Sequence, residues 1–149
     1  MSGFRVYYSN TVAVCAVLAV LCVDTRRERG VRMHGRYAVV IVTYNRVQLL
    51  RECVAHARAQ TIPPDSMIVV DNASTDGTEA YLEELAQESG IEVIGLPRNV
   101  GGAGGFAKGM ERALKKDVDC VLLIDDDAMI AEDYMEKILA AREHHTNSL

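Results

Sequence analysis

An α/β fold, with a mostly parallel sheet of about four strands flanked by helices on both faces, is predicted by three features of this chain. β-Branched runs alternate with segments of helical periodicity four times in succession, the order βαβαβαβα. No internal repeat, long linker or low-complexity tract interrupts that alternation. The chain is also the right size: 149 residues, 49% of them hydrophobic, suffice for one domain with a layered core. Ligands of such sheets bind in the crevice outside the carboxyl ends of the strands, so the strand exits are where function is sought.

Residues 1–35 do not follow the alternation and are set apart as an atypical N-terminal extension, with the folded domain over 36–149. Thr11–Val23 is uniformly apolar but only 13 residues long, short of the roughly 18 to 20 that a spanning helix needs. A signal-peptide core with Arg5 upstream is disfavoured because the run ends in Asp24 and charged residues, with no small-residue cleavage site. The expectation is that Met33 is the natural start.

The first βα unit is Tyr37–Thr43, a β-branched strand, followed by a helix over Val47–Gln60 with Leu50, Cys53, Val54 and Ala57 on one stripe. Thr61 to Asp65, with two prolines, break it. Met67–Val70 forms the second strand, and Asp76 with Glu79 reads as a capping box opening a helix to about Glu88. Gly90 ends that helix and Ile91–Leu96 makes the third strand. A glycine-rich loop precedes a third helix marked by Phe106, Met110, Ala113 and Leu114. The fourth strand runs over about 119–124, a last helix over about 132–142, and the tail from His144 is expected to fray.

The formal net charge of −5, with no basic stripe on any predicted helix, argues against nucleic acid as a partner. Cys15, Cys22, Cys53 and Cys120 show no CxxC pair and no spacing with histidine, so buried reduced thiols in a reducing compartment are expected.

All four predicted strands end in polar chemistry. The first exits through Thr43, Tyr44, Asn45 and Arg46, the second through Asp71 to Thr78, the third through Arg98, Asn99 and the glycines from Gly101 and Gly102 onward, and the fourth through Asp125, Asp126 and Asp127. Taken singly, each has a plain alternative: a helix cap, an Asx turn, a flexible glycine stretch, a solvated acidic turn. Taken together they place a guanidinium, amides, hydroxyls, a compact backbone surface and a carboxylate cluster around one crevice. Three consecutive like charges are costly to ionise together, and a hard divalent cation relieves that cost. A nucleoside diphosphate with its metal suits the set.

The series IVTYNR, VVDNASTDGT, LPRNVGGAGGF and LLIDDDA resembles the N-terminal, nucleotide-binding half of the family 2 glycosyltransferases, and within them the galactofuranosyltransferase-like and rhamnosyltransferase-like branch. The resemblance covers about Tyr37–Arg142 and implies a Rossmann-like GT-A nucleotide-binding half. It implies transfer of a sugar, with inversion, from a UDP- or dTDP-sugar to a glycan or lipid-linked acceptor, with Mn²⁺ or Mg²⁺ held by a DXD-type motif. By resemblance, Asp71 accepts the imide N–H of uracil, Thr43 shapes the base pocket, and Asn45 and Arg46 contact the nucleotide. Asn99 bonds the nucleotide sugar, and Gly101 and Gly102 let backbone approach the donor. Asp127 ligates the metal, Asp125 contacts metal or ribose, and Asp126 lies nearer the transferred sugar.

The resemblance also implies cell-envelope polysaccharide or glycolipid assembly in the cytoplasm, with peripheral association at the inner membrane face. The catalytic base and a further metal ligand, often histidine, belong to a portion beyond Leu149, so no catalytic residue is assigned here and a donor-binding fragment, inactive alone, is expected. His144 and His145 read as a solvated tail, and His56 as a surface residue. Two rivals are a non-catalytic nucleotide-binding module and a dinucleotide-binding oxidoreductase. The latter rests on Gly102, Gly104 and Ala107 spelling G-x-G-x-x-A, but in the third βα unit where the fingerprint belongs in the first.

Overall fold

The computed structural model describes residues 4–7, 19–23 and 35–146. The strands are β1 (Phe4–Tyr7), β2 (Ala19–Val23), β3 (Tyr37–Thr43), β4 (Ser66–Asp71), β5 (Ile91–Gly95) and β6 (Cys120–Asp125). The helices are α1 (Val47–Arg58), α2 (Thr78–Ala86), α3 (Gly101–Ala113) and α4 (Tyr134–Thr146). All four predicted βα units are present. They form one sheet in the order β1-β2-β6-β3-β4-β5, parallel from β6 to β5.

Central parallel strands are buried on both faces, which is why β3 is an unbroken β-branched run and every one of its residues is buried. Its alternate side chains serve two cores. Val39 and Ile41 join Leu122 and Ile124 under α1, α2 and α4, while Val40 and Val42 join Val70 and Leu123 under α3. Each fully buried aliphatic side chain contributes roughly 1.5 to 3 kcal/mol, so this double use of β3 anchors the domain.

Two strands lie outside the predicted four. β1 and β2 pair antiparallel with each other, and β2 pairs antiparallel with β6, so part of the segment set apart at the N-terminus extends the sheet. Only Ala19–Val23 of the apolar run Thr11–Val23 is in β2, and a run apolar at every position carries no period from which to choose strand over helix. Met33 lies outside the described residues. Among the described residues no helix is long and apolar enough to cross a membrane.

Three further expectations need correction. The glycine stretch after β5 is helix from Gly101, not loop, because close packing against the sheet overrides glycine's low propensity (below). The backbone of His144 to Thr146 is helical, continuing α4, and the side chains there lie outside what is described. Cys120 is disulfide-bonded, whereas reduced thiols were expected throughout; neither a CxxC pair nor a spacing rule announces the bond in the sequence.

Cys53 is a buried free thiol as expected. Burial first, and then the negative charges of Asp126, Asp127 and Asp125, push its pKa up to about 12. The thiolate is the nucleophile, so alkylation of native Cys53 at pH 8 is expected to be slower than that of an exposed thiol by roughly three orders of magnitude. Timed iodoacetamide labelling with peptide mapping, native against denatured, checks it. The sign for stability follows: a pKa raised on folding supports the fold below the thiol's ordinary value of 9.0, and that support is lost as pH climbs from there towards about 12.

Candidate functional site at the carboxyl edge of the sheet

Register brings the strand exits side by side. Thr43 at the end of β3 is opposite Asp71 at the end of β4, and Val42 is opposite Asp125 at the end of β6. Backbone bonds continue the ladder just past the strands, from Asn72 N–H to the Thr43 carbonyl at 2.9 Å and from Asp126 N–H to the Val42 carbonyl at 3.2 Å. Side chains alternate along strands, so Thr43, Asp71 and Asp126 fall on the α1 face and Asp125 on the α3 face. The site therefore straddles the rim of the sheet.

The three aspartates have different environments. Asp126 is only 3% exposed; it accepts the Thr43 hydroxyl at 2.7 Å and an Arg46 N–H at 3.3 Å. Burial raises its pKa, opposed by the Thr43 hydrogen bond and the Arg46 charge. Asp127 is partly exposed and accepts the same Arg46 nitrogen at 3.2 Å. Asp125 is half-buried, and its carbonyl receives the Cys53 thiol at 3.5 Å and the Ala128 N–H at 3.1 Å, closing the turn after β6. Asp126 and Thr43 thus form a buried brace beneath the edge, while Asp127 reaches the surface. The Thr43 hydroxyl and the Asp126 carboxylate are bonded to each other in this placement.

The exits of β3 and β4 are laced together. The Asn45 N–H donates to the Ser74 hydroxyl at 2.9 Å, and the Asn45 side-chain oxygen accepts the Thr75 N–H at 2.6 Å. Asn45 has φ 54° and Ala73 φ 64°, left-handed conformations that asparagine tolerates better than alanine. Asp71 accepts the Ser74 N–H at 3.0 Å. Asp76 accepts the N–H groups of Val47 at 3.3 Å and Thr78 at 3.1 Å, so it serves the first turns of both α1 and α2. This replaces the expected capping box: Gly77, at φ 91°, is the N-cap residue of α2.

Asn72 is a site residue that sequence reasoning did not single out. Its side chain is buried, and its oxygen accepts the Val100 N–H at 2.8 Å, tying the exit of β4 to the start of α3. Asn99 accepts the Gly101 N–H at 2.8 Å in the same turn. Gly101 has φ 76°, and a side chain added at Gly101 or Gly102 would meet nothing within 4 Å, so the N-terminus of α3 borders open space. Asn72 falls within the VVDNASTDGT series, but its bond to Val100 joins elements that are distant in the sequence. Asn72→Ala is expected to cost about 1 kcal/mol by removing the bond to the Val100 N–H, and to loosen the start of α3. Urea denaturation with hydrogen exchange at Val100 measures both.

Gln60 has a comparable role one step further out. Its amide donates to the carbonyl of Ala131 at 2.7 Å and its oxygen accepts the Met135 N–H at 3.0 Å, fixing the segment between the aspartates and α4. His56, exposed on α1, contacts the Ile130 carbonyl at 3.1 Å, as befits a surface residue.

The donor chemistry fits a hard dication held jointly with a ligand. Among the described residues no group of three or more His, Cys, Asp or Glu side chains gathers as a self-sufficient cage. Mg²⁺ commonly needs none, being held by one or two carboxylates together with substrate phosphates. Asp127 and Asp125 are the carboxylates at this edge that would fill that role. The G-x-G spacing of Gly102 and Gly104 lies inside α3, not in the strand-to-helix turn that a dinucleotide fingerprint requires.

Comparison with known proteins agrees with this geometry. The profile of glycosyl transferase family 2 matches residues 38–149. Galactofuranosyltransferase GlfT1 of Mycobacterium tuberculosis (strain H37Rv) is 41% identical over 88 residues, which are 59% of this chain and 29% of that protein. GlfT1 of Mycolicibacterium smegmatis is 37% identical over 112 residues, 74% of this chain and 35% of that protein. The chain thus spans about a third of the length of these relatives. Among solved structures, Staphylococcus aureus TarS 1–349 in complex with UDP-GlcNAc superposes with a TM-score of 0.60 at 30% identity, covering 74% of this chain and 32% of that one. The mannosyltransferase PcManGT from Pyrobaculum calidifontis in complex with GDP-Man and Mn²⁺ gives 0.59 at 26% identity, covering 68% and 30%.

Proposed function

This chain belongs to glycosyl transferase family 2, and from that premise we propose that it is the donor-binding half of a transferase that moves a sugar from a UDP- or dTDP-sugar to a glycan or lipid-linked acceptor with inversion. The observation that carries the reading is the convergence at one sheet edge of Asp71, the open N-terminus of α3, and the carboxylates of Asp125 and Asp127. The similarity to GlfT1 supports a galactofuranosyl nucleotide as the donor.

Asp71, held by the Ser74 N–H on one oxygen, would accept the uracil imide N–H, the donor that distinguishes uracil from cytosine at that ring position. The N–H groups of Gly102 and Ala103 in the first turn of α3, with the helix dipole behind them, would face the diphosphate. Asn99 would direct its amide group towards the nucleotide sugar, and Arg46 would offer its charge to the nucleotide. Asp125 and Asp127 would hold Mn²⁺ or Mg²⁺, which when bound supplies Lewis-acid stabilisation of the departing diphosphate. Thr43 and Asp126 support Arg46 from beneath, and Asn45 keeps the exits of β3 and β4 in place. No described residue is assigned as the base for the acceptor. Action in the cytoplasm, at the inner membrane face, is part of the proposal.

Titration calorimetry of the chain with UDP, in Mn²⁺ and in EDTA, tests the reading. UDP binding that requires the metal and exceeds that of CDP is expected; no UDP binding in Mn²⁺ refutes it.

A further inference from the structure

We propose that Arg46 is a built-in counter-ion that occupies the Asp127 carboxylate until a dication displaces it, so that one side chain couples metal loading to nucleotide capture. The inference rests on the donor-site reading above and adds an order of events to it. One guanidinium nitrogen of Arg46 lies 3.2 Å from Asp127 and 3.3 Å from Asp126. The two partners differ in how firmly they hold it: the Asp126 side chain is 4% exposed and fixed by Thr43, whereas that of Asp127 is 34% exposed. Arg46 itself is 52% exposed, so its outer face is open to a second ligand.

Charge sets the direction. With Arg46 between them, two adjacent carboxylates carry one compensating charge and the turn folds without a metal. A dication on Asp127 takes up the carboxylate's charge and repels the guanidinium beside it, so loading Asp127 loosens one of the two bonds of Arg46. Arg46 then keeps Asp126 as its pivot and is freed to turn towards an anionic ligand, where its planar fork suits a phosphate. Nucleotide is thereby favoured after metal, and metal alone binds more weakly than the carboxylates would allow without Arg46.

Two measurements decide it. The first compares Mn²⁺ binding, with no nucleotide present, to the unmodified chain and to Arg46→Gln and Arg46→Lys, by electron paramagnetic resonance of free Mn²⁺. Arg46→Gln is expected to bind Mn²⁺ roughly three- to tenfold more tightly and UDP more weakly at saturating Mn²⁺, while Arg46→Lys keeps Mn²⁺ affinity near that of the parent. Equal or weaker Mn²⁺ binding by a folded Arg46→Gln overturns the proposal. The second uses the unmodified chain, so it does not depend on a variant folding: phenylglyoxal modification of Arg46, mapped by mass spectrometry, should accelerate severalfold on adding Mn²⁺ alone and be suppressed by UDP with Mn²⁺. A rate indifferent to Mn²⁺ in a chain that still binds UDP with Mn²⁺ overturns this inference only. Failure of the unmodified chain to bind UDP in Mn²⁺ overturns the donor-site reading and this inference with it.

Discussion

Asp127→Ala is expected to abolish Mn²⁺-dependent UDP binding, by at least about 100-fold or about 2.7 kcal/mol, while leaving the fold intact. The side chain is partly exposed and its ion pair is with Arg46, which retains Asp126 after the substitution. Losing a pair of that kind costs about 0 to 1 kcal/mol of stability. The neighbouring substitution should behave in the opposite way. Asp126→Ala removes a buried acceptor, leaving the Thr43 hydroxyl without its partner and Arg46 with half its support, and is expected to destabilise by about 2 to 4 kcal/mol. Calorimetry and urea denaturation on both variants separate the roles of two adjacent aspartates. Unchanged Mn²⁺-dependent UDP affinity in Asp127→Ala would remove Asp127 as the metal's ligand.

That contrast marks where the sequence could be read and where it could not. The apolar run Val121 to Ile124 announces a buried strand, and the aspartates after it announce a charged edge, because both statements depend on local pattern alone. Which aspartate faces outward depends on the pleat of β6 against β3 and on a hydroxyl at Thr43, 83 positions away in the chain. Asn45 is a case of the same kind. Its placement after a strand suggests a ligand contact or a helix cap, yet its side chain spans to Thr75 and stitches two loops together. Gln60, and the role of Asn72 within its motif, were not legible for the same reason: a buried amide bonding across elements has no sequence period.

The fold itself was more legible, with one instructive exception. β3, β4 and β6 lie where the β-branched runs predict, since a parallel strand buried on both faces must be largely apolar, and the half-buried β5 at the edge keeps its apolar residues around Glu92. The antiparallel addition of β2 to β6 follows no such rule, and neither does the disulfide of Cys120. Sheet edges are assigned by what remains unpaired after the parallel core has formed, which is a property of the assembled sheet.

Gly109→Val should cause the largest loss of stability of any single substitution considered, and the reason lies in how α3 meets the sheet. A Cβ at position 109 would lie 2.2 Å from the Val40 side chain and 3.1 Å from that of Val70, and at Gly105 it would lie 2.7 Å from Val42. Val40 and Val70 are fully buried and branched at Cβ, so neither can rotate away, and the helix must lift instead. Among the described residues α3 is the helix that packs on this face, so lifting it exposes Phe106, Ala113 and the valines beneath and pulls Val100 from Asn72. Overpacking costs about 1 to 3 kcal/mol and sometimes more, while the gain in helix propensity on replacing glycine is under about 1 kcal/mol. Gly109→Ala is thus expected to destabilise by about 2 kcal/mol and Gly109→Val by about 4 kcal/mol, with UDP affinity falling in parallel because the first turn of α3 moves. Gly102→Ala, where added atoms meet open space, is the matched control: stability unchanged or slightly higher, with UDP binding weakened by the methyl group in the crevice. A urea midpoint for Gly109→Ala at or above that of the parent chain would show that α3 is not seated on the sheet as closely as the glycines indicate.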